Sequence, residues 1–230
     1  MNKFDIILFD FDDTLWARNT SSESDYLLSR DNILLLNKLA KSNVCTIISG
    51  NTYDTIRKKI EKVVNLADVN FDIWADANST LYKRDEKKAF IEDFSIDDEK
   101  EAIENFLQIY ELHGISYGYP KTTNIKIKPL NNLERNLLVT CFNDYAIDNK
   151  LISRAFKTGT TTVDILSKNN SKENVLKSNF FKGFDSWKSL YIGDECYNGN
   201  DKDICNICTE YINVSNIKET NTLLKLLLGE

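Results

Sequence analysis

The sequence predicts an α/β protein, a doubly wound parallel sheet interrupted by a smaller α+β segment. Three observations predict it. Short runs that are apolar at nearly every position recur at Phe4–Phe9, Val44–Ile48 and Phe71–Trp74, with helical patterns between them. That alternation breaks off at the charged stretch Lys83–Lys88 and gives way to an αββαββ order. It then resumes from Ser171 to the last residues.

Each element has a local reason. Continuous apolar runs of four to six residues suit parallel strands buried on both faces. The run Phe4–Phe9 is the first of them, and a polar loop follows from Arg18 to Ser24. Asp31 is placed to cap a helix carrying Ile33, Leu34, Leu36, Leu39 and Ala40. Val44–Ile48 is the second strand, closed by Ser49-Gly50, and Thr52 caps a helix through Ile56, Ile60 and Val63. Phe71–Trp74 completes a β-α-β-α-β order.

Over 84–167 the pattern changes. A helix from Asp97 through Ile103, Phe106, Leu107 and Tyr110 precedes strands at Ile115–Tyr119 and Asn124–Lys128, about a turn at Pro120. A second helix from Asn131 or Asn132 runs through Leu133, Leu137, Leu138 and Phe142, and a hairpin follows about Thr158-Gly159. This predicts an inserted domain, with 1–83 and 168–230 forming the core. In the returning core, Ser171 caps a helix through Val175 and Leu176. Leu190–Ile192 and Tyr211–Val214 are strands about a short helix at Ile204–Ile207, and Asn216 opens a terminal amphipathic helix.

Composition narrows the function. The 230 residues are 42% hydrophobic and 28% charged, which is globular rather than disordered. The net charge of -6 argues against a nucleic-acid partner, since little positive charge is present to displace counterions. No stretch approaches the roughly 20 apolar residues of a membrane span, and the first residues lack a signal pattern. Five cysteines without scaffold density fit a reducing cytoplasm. The expected form is a monomer or a homodimer.

In open α/β sheets, ligands collect at the carboxyl ends of the strands. Four polar clusters fall there: Asp10-Phe11-Asp12-Asp13-Thr14, Ser49-Gly50, Lys172 at a helix start, and Gly193-Asp194-Glu195 onward to Asn200-Asp201. Together they supply carboxylates for a cation, a hydroxyl and amides for a phosphate, and one ammonium. Phosphoryl transfer asks for those parts. A carboxylate can form an acyl phosphate and split one hard step into two. A cation and a lysine reduce its repulsion from the phosphate, and Mg²⁺ prefers such oxygen ligands. Asp10 and Asp12, two residues apart on an extended strand end, point to the same side. Asp12 is thereby placed to act as acid and then base.

The run Phe9-Asp10-Phe11-Asp12-Asp13-Thr14-Leu15 resembles the first motif of the haloacid dehalogenase superfamily. Ser49-Gly50 resembles its second, Lys172 its third, and Gly193-Asp194 with Asn200-Asp201 its fourth. An αββαββ insert between the second and third motifs resembles the subclass of sugar-phosphate phosphatases and phosphomannomutases. So do Ala75-Asp76-Ala77-Asn78-Ser79 and Thr162-Val163-Asp164-Ile165-Leu166. The resemblance implies a Rossmann-like core with a cap, and an Mg²⁺-dependent phosphatase acting on a small phosphorylated metabolite, a sugar phosphate above all. It implies Asp10 as nucleophile and Asp12 as general acid and base. Ser49, Gly50, Lys172 and Asn200 would hold phosphate. Asp10, Asp12 through its carbonyl, and Asp194 would hold the metal, with Thr14 and Asp201 in support. Two departures stand out: Asp13 where glycine is commonest, and Asn51 where many relatives carry arginine.

Other residues have plainer roles open to them. Leu15 and Ser21 stand where an EF-hand loop needs glycine and glutamate, which excludes that reading of the first motif. A receiver-type domain would be about half this length. Cys205 and Cys208 spell C-x-x-C without a second pair, and core packing is their default role. His113 is the sole histidine and reads as a surface residue; Trp16 suits a flap over the site or the core equally. In the insert, Arg135, Arg154 and Lys126, with Lys128 on the same strand face, and in the core Asn51, are candidate substrate contacts against the alternative of a solvated face. A phosphomutase, or a non-catalytic protein that binds a phosphorylated ligand, are the alternatives to the phosphatase.

Overall fold

The computed structural model describes residues 4–18, 22–83, 88–109, 116–117, 123–158, 161–183, 187–197 and 201–230. The chain divides into two compact units, Met1–Phe90 with Lys172–Glu230, and Ile91–Ser171.

The first unit is built on a seven-stranded sheet. Its strands are β1 (Ile6–Phe9), β2 (Cys45–Ile48), β3 (Asp72–Ala75), β4 (Thr80–Tyr82), β5 (Lys88–Phe90), β10 (Ser189–Gly193) and β11 (Glu210–Asn213). The order across the sheet is β11-β10-β1-β2-β3-β4-β5. The five strands from β11 to β3 are parallel, and β4 and β5 extend the edge antiparallel. All four residues of β1 and of β2 are buried, as a strand covered on both faces requires. Sequence alone did not reveal β4 and β5, which are three residues each. β5 pairs in this sheet, within the first unit, which runs to Phe90. The register Phe9↔Ile47 and Phe9↔Ile192 lines up the ends of β1, β2 and β10 on one rim.

Helices α1 (Glu23–Leu39), α2 (Tyr53–Ile60), α5 (Lys172–Lys177), α6 (Lys202–Ile207) and α7 (Ile217–Leu228) belong to the same unit. Thr52 and Asn216 cap α2 and α7 through their side chains. Asp31 is not a cap: α1 begins eight residues earlier, where Ser22 accepts from the Asp25 amide. The end of the expected polar loop, Glu23 and Ser24, is the first turn of this helix, and polar residues further along it are satisfied. Ser29 donates to the Asp25 carbonyl, and buried Asn32 donates to the carbonyls of Leu15 and Ile217. Asp31 instead accepts from Asn221 of α7 at 2.7 Å.

The second unit has a four-stranded antiparallel sheet, order β6-β7-β9-β8, from β6 (Ser116–Tyr117), β7 (Asn124–Ile127), β8 (Ser153–Thr158) and β9 (Thr162–Ser167). Helices α3 (Lys100–Ile109) and α4 (Asn132–Asp148) share its core. Ile103, Phe106, Leu138 and Phe142 pack with Ile125, Ile127, Ala155, Val163 and Ile165. Asn131 caps α4 by accepting from the Glu134 amide. Lys126, between buried Ile125 and Ile127, is exposed on the other sheet face. His113, Pro120 and Gly159 lie outside the described residues.

Candidate active site

Asp10 follows β1 directly, and its amide donates to the Ile192 carbonyl of β10. Its carboxylate is nearly buried and meets the ammonium of Lys172 at 2.5 Å. Lys172, the first residue of α5, also donates to Asp201 at 2.6 Å and to the Tyr191 hydroxyl at 3.1 Å. Tyr191 is a residue that sequence reasoning missed; as one apolar position of a buried strand it gave no signal. Asp201 is fully buried and precedes α6. Gly193 is demanded by that proximity, since a Cβ there would stand 2.3 Å from Asp201 Oδ2.

One oxygen each of Asp10, Asp194 and Asp201 can be chosen within 4.8 Å of one another. Two of these carboxylates, Asp10 and Asp201, share the Lys172 ammonium, and Asp194 adds a third negative charge beside them. Burial pushes the Asp10 carboxyl up to about 7; Lys172 opposes this, and Asp201 and Asp194 add to it. Burial and Asp201 likewise raise Asp194. Burial works against the Lys172 charge, but Asp10 and Asp201 outweigh it and hold the ammonium above its usual range. An all-oxygen set with surplus negative charge fits a hard divalent cation such as Mg²⁺. Asp201 stands within this set, closer to it than the supporting place expected from sequence.

Asp12 is held differently. Asn51 donates to its Oδ2 at 2.6 Å, and Lys59 of α2 meets its Oδ1 at 3.3 Å. Asn51, read as a substrate contact, is thus engaged with Asp12. Lys59 was missed, because the run Arg57-Lys58-Lys59 reads as an exposed helix face. Asp13, where glycine was expected, has φ 56°, the left-handed region that glycine enters without penalty and aspartate tolerates. Arg18 compensates: its amide donates to Asp13 Oδ1 at 2.9 Å. Thr14 donates to Asp194 at 3.4 Å. Trp16 is buried, stacked on Phe11 in the core, so packing accounts for it.

Ser49 directly follows β2 on the same rim; it is buried, and its hydroxyl accepts from the Asn51 amide at 3.2 Å. Gly50 is exposed, with nothing within 4 Å of a Cβ placed there. Its carbonyl accepts from Ala77, and that of Asn51 from Asp76. Asp76, Ala77 and Asn78 all have positive φ, so a left-handed turn holds the Gly50-Asn51 loop through these two hydrogen bonds. Asn200 lies outside the described residues. In the insert, Arg135 donates to the Thr162 carbonyl, and Arg154 to those of Leu151 and Ser153. Lys126 approaches Asp164 at 3.9 Å. Cys205 is buried with a free thiol, as core packing requires, and Cys208 is half-buried and also free.

No protein-family model matches the chain, and no curated protein matches it in sequence. Solved structures do match its fold. An IMP-bound mutant of the Plasmodium falciparum IMP-nucleotidase is 18% identical, with TM-score 0.62, over 99% of this chain and 69% of that one. A trehalose-6-phosphate phosphatase related protein is 13% identical, with TM-score 0.63, over 97% and 98%. A Thermotoga maritima protein is 16% identical, with TM-score 0.68, over 99% and 97%. The chain therefore has the α/β fold of these proteins.

Proposed function

We propose that the protein is a phosphatase of the haloacid dehalogenase type, hydrolysing a small phosphorylated metabolite, a sugar phosphate in the first instance, with Mg²⁺. The observation that carries this reading is the group formed by Asp10, Lys172, Asp194 and Asp201 on the sheet rim that also bears Ser49-Gly50. The neighbours named for nucleotide and trehalose-phosphate chemistry support an ester of a small hydroxylated molecule.

Asp10, the Asp12 carbonyl and Asp194, with Asp201, would hold Mg²⁺, which when bound offsets the charge of carboxylates and phosphate together. Lys172 occupies Asp10 Oδ1 and leaves Oδ2 to attack phosphorus. The ester P–O bond breaks as the aspartyl-phosphate bond forms, and the leaving oxygen takes a proton from Asp12. Asp12, now a carboxylate, removes a proton from water. The resulting hydroxide attacks phosphorus, frees Asp10 and releases inorganic phosphate. Ser49 and the Gly50 amide would retain the phosphoryl oxygens meanwhile. Lys126, Arg135 and Arg154 remain the candidates of the insert for substrate hydroxyls or a second anion.

The test is phosphate release from a panel of sugar phosphates, nucleotides and other small esters with Mg²⁺, with Asp10→Asn as blank. Release from a group of related esters, absent from the blank and abolished by chelator, is expected. Interconversion of hexose 1- and 6-phosphates without release would identify a mutase, and ligand binding with neither activity a binding protein. Activity persisting in Asp10→Asn would remove Asp10 as nucleophile.

A further inference from the structure

We infer that Lys59, with Asn51, is a positioning device that sets the carboxylate of Asp12 to take the proton of the attacking water, an inference that rests on the phosphatase reading above. Both oxygens of Asp12 are engaged: Oδ2 by the Asn51 amide at 2.6 Å and Oδ1 by the Lys59 ammonium at 3.3 Å. The two donors come from one stretch of chain, the turn after β2 and the helix that follows it. Asn51 also gives its backbone amide to Ser49 Oγ, so the same residue touches the acid–base group and the phosphate-side turn.

Lys59 differs from an ordinary surface lysine. Ion pairs between solvated side chains hold no fixed geometry and contribute little. Here both side chains are only 22% exposed. The ammonium also lies 5.1 Å from the centroid of the Phe11 ring and 5.9 Å from that of Trp16, and both rings are buried. The rings attract the cation and fix its height over the strand end. Its helix neighbours Arg57 and Lys58 are exposed, and Arg57 pairs within the helix with Glu61. A carboxylate held at both oxygens gives up the rotamer freedom that would otherwise be lost when substrate arrives. That is the contribution expected of preorganisation to a proton-transfer step.

The test is a double-mutant cycle on turnover of the best alkyl ester from the panel, using Lys59→Met, Asp12→Asn and the pair. Lys59→Met keeps the packing over the rings and removes the charge. Expected is a loss of about tenfold or more in kcat with KM moved less than about threefold, and a loss below about twofold in the Asp12→Asn background. Lys59→Arg should recover most of the lost rate. Equal losses in both backgrounds, or an undiminished kcat in Lys59→Met, would overturn the inference. If Lys59→Met fails to fold, Lys59→Gln takes its place in the cycle under the same criteria. Should the wild-type protein turn over no ester, the phosphatase reading fails, and crystal structures then judge the clamp directly. An Asp12 carboxylate displaced in the Lys59 variant but in place in Lys59→Arg supports it; one unmoved in both overturns it.

Discussion

Gly193 shows how little space surrounds the carboxylate group. A methyl there would meet Asp201 Oδ2 at 2.3 Å and the Tyr191 ring at 2.7 Å, both fully buried. Gly193→Ala should cost about 1–3 kcal/mol in urea unfolding and should lower turnover, because Asp201 must leave Lys172 to make room. A second consequence is a pH dependence of the metal-free fold. The Asp10 carboxyl, ordinarily near 3.8, is raised to about 7. Between those values the native state keeps a proton that the unfolded chain has released, so rising pH costs stability there. In chelator, the melting temperature of the wild type should therefore fall relative to that of Asp10→Asn as pH goes from 4.5 to 7.5. Parallel curves would show that Asp10 is not held up. The odd Asp13 of the first motif was visible in sequence, but its reason, a positive φ steadied by Arg18, needed coordinates.

Among the elements, the turn after β3 joins the rim that carries Asp10 and Ser49 to the sheet edge. Asp76 is nearly buried, and burial raises its carboxyl. Its oxygens accept from the Tyr53 amide at the start of α2 and from the Tyr82 hydroxyl of β4, while the Tyr53 and Tyr82 rings stack 3.7 Å apart. Removing the hydroxyl leaves a buried acceptor with fewer partners, which costs about 1–3 kcal/mol. Tyr82→Phe should show that loss in urea unfolding. It should also weaken competitive inhibition by inorganic phosphate, since the Asp76–Asn78 turn holds the Gly50 and Asn51 carbonyls. The cap at Thr52, and helix starts at Asn131 or Asn132 and at Asn216, were legible, because a short polar side chain stands just before an apolar period. The cap at Ser22 was not, because Ser29 and Asn32 inside α1 are polar yet buried, satisfied by partners distant in sequence.

At the scale of the whole molecule, each of the two units has a hydrophobic core among its described residues. Residues 91–171 have their own, centred on Ile103, Phe106, Ile125, Phe142 and Ile165. Expressed alone, that segment should unfold in a single cooperative urea transition; a broad, gradual loss of helix would show that it depends on the rest. No helix among the described residues is long and apolar enough to cross a membrane. The sequence by itself determined the α/β class, the strand ends that carry Asp10, Ser49 and Asp194, and the αββαββ order. Those depend on hydrophobic period and on residues placed where strands stop, which are local and repeat. Only the tertiary structure decided which side chains meet. That Lys172 joins Asp10, Asp201 and Tyr191, or that Asn51 and Lys59 close on Asp12, depends on strand register and helix docking between residues up to 162 positions apart. Hydrophobic patterning leaves no trace of such pairings, because a lysine or an asparagine looks the same on a solvated face as against a buried carboxylate.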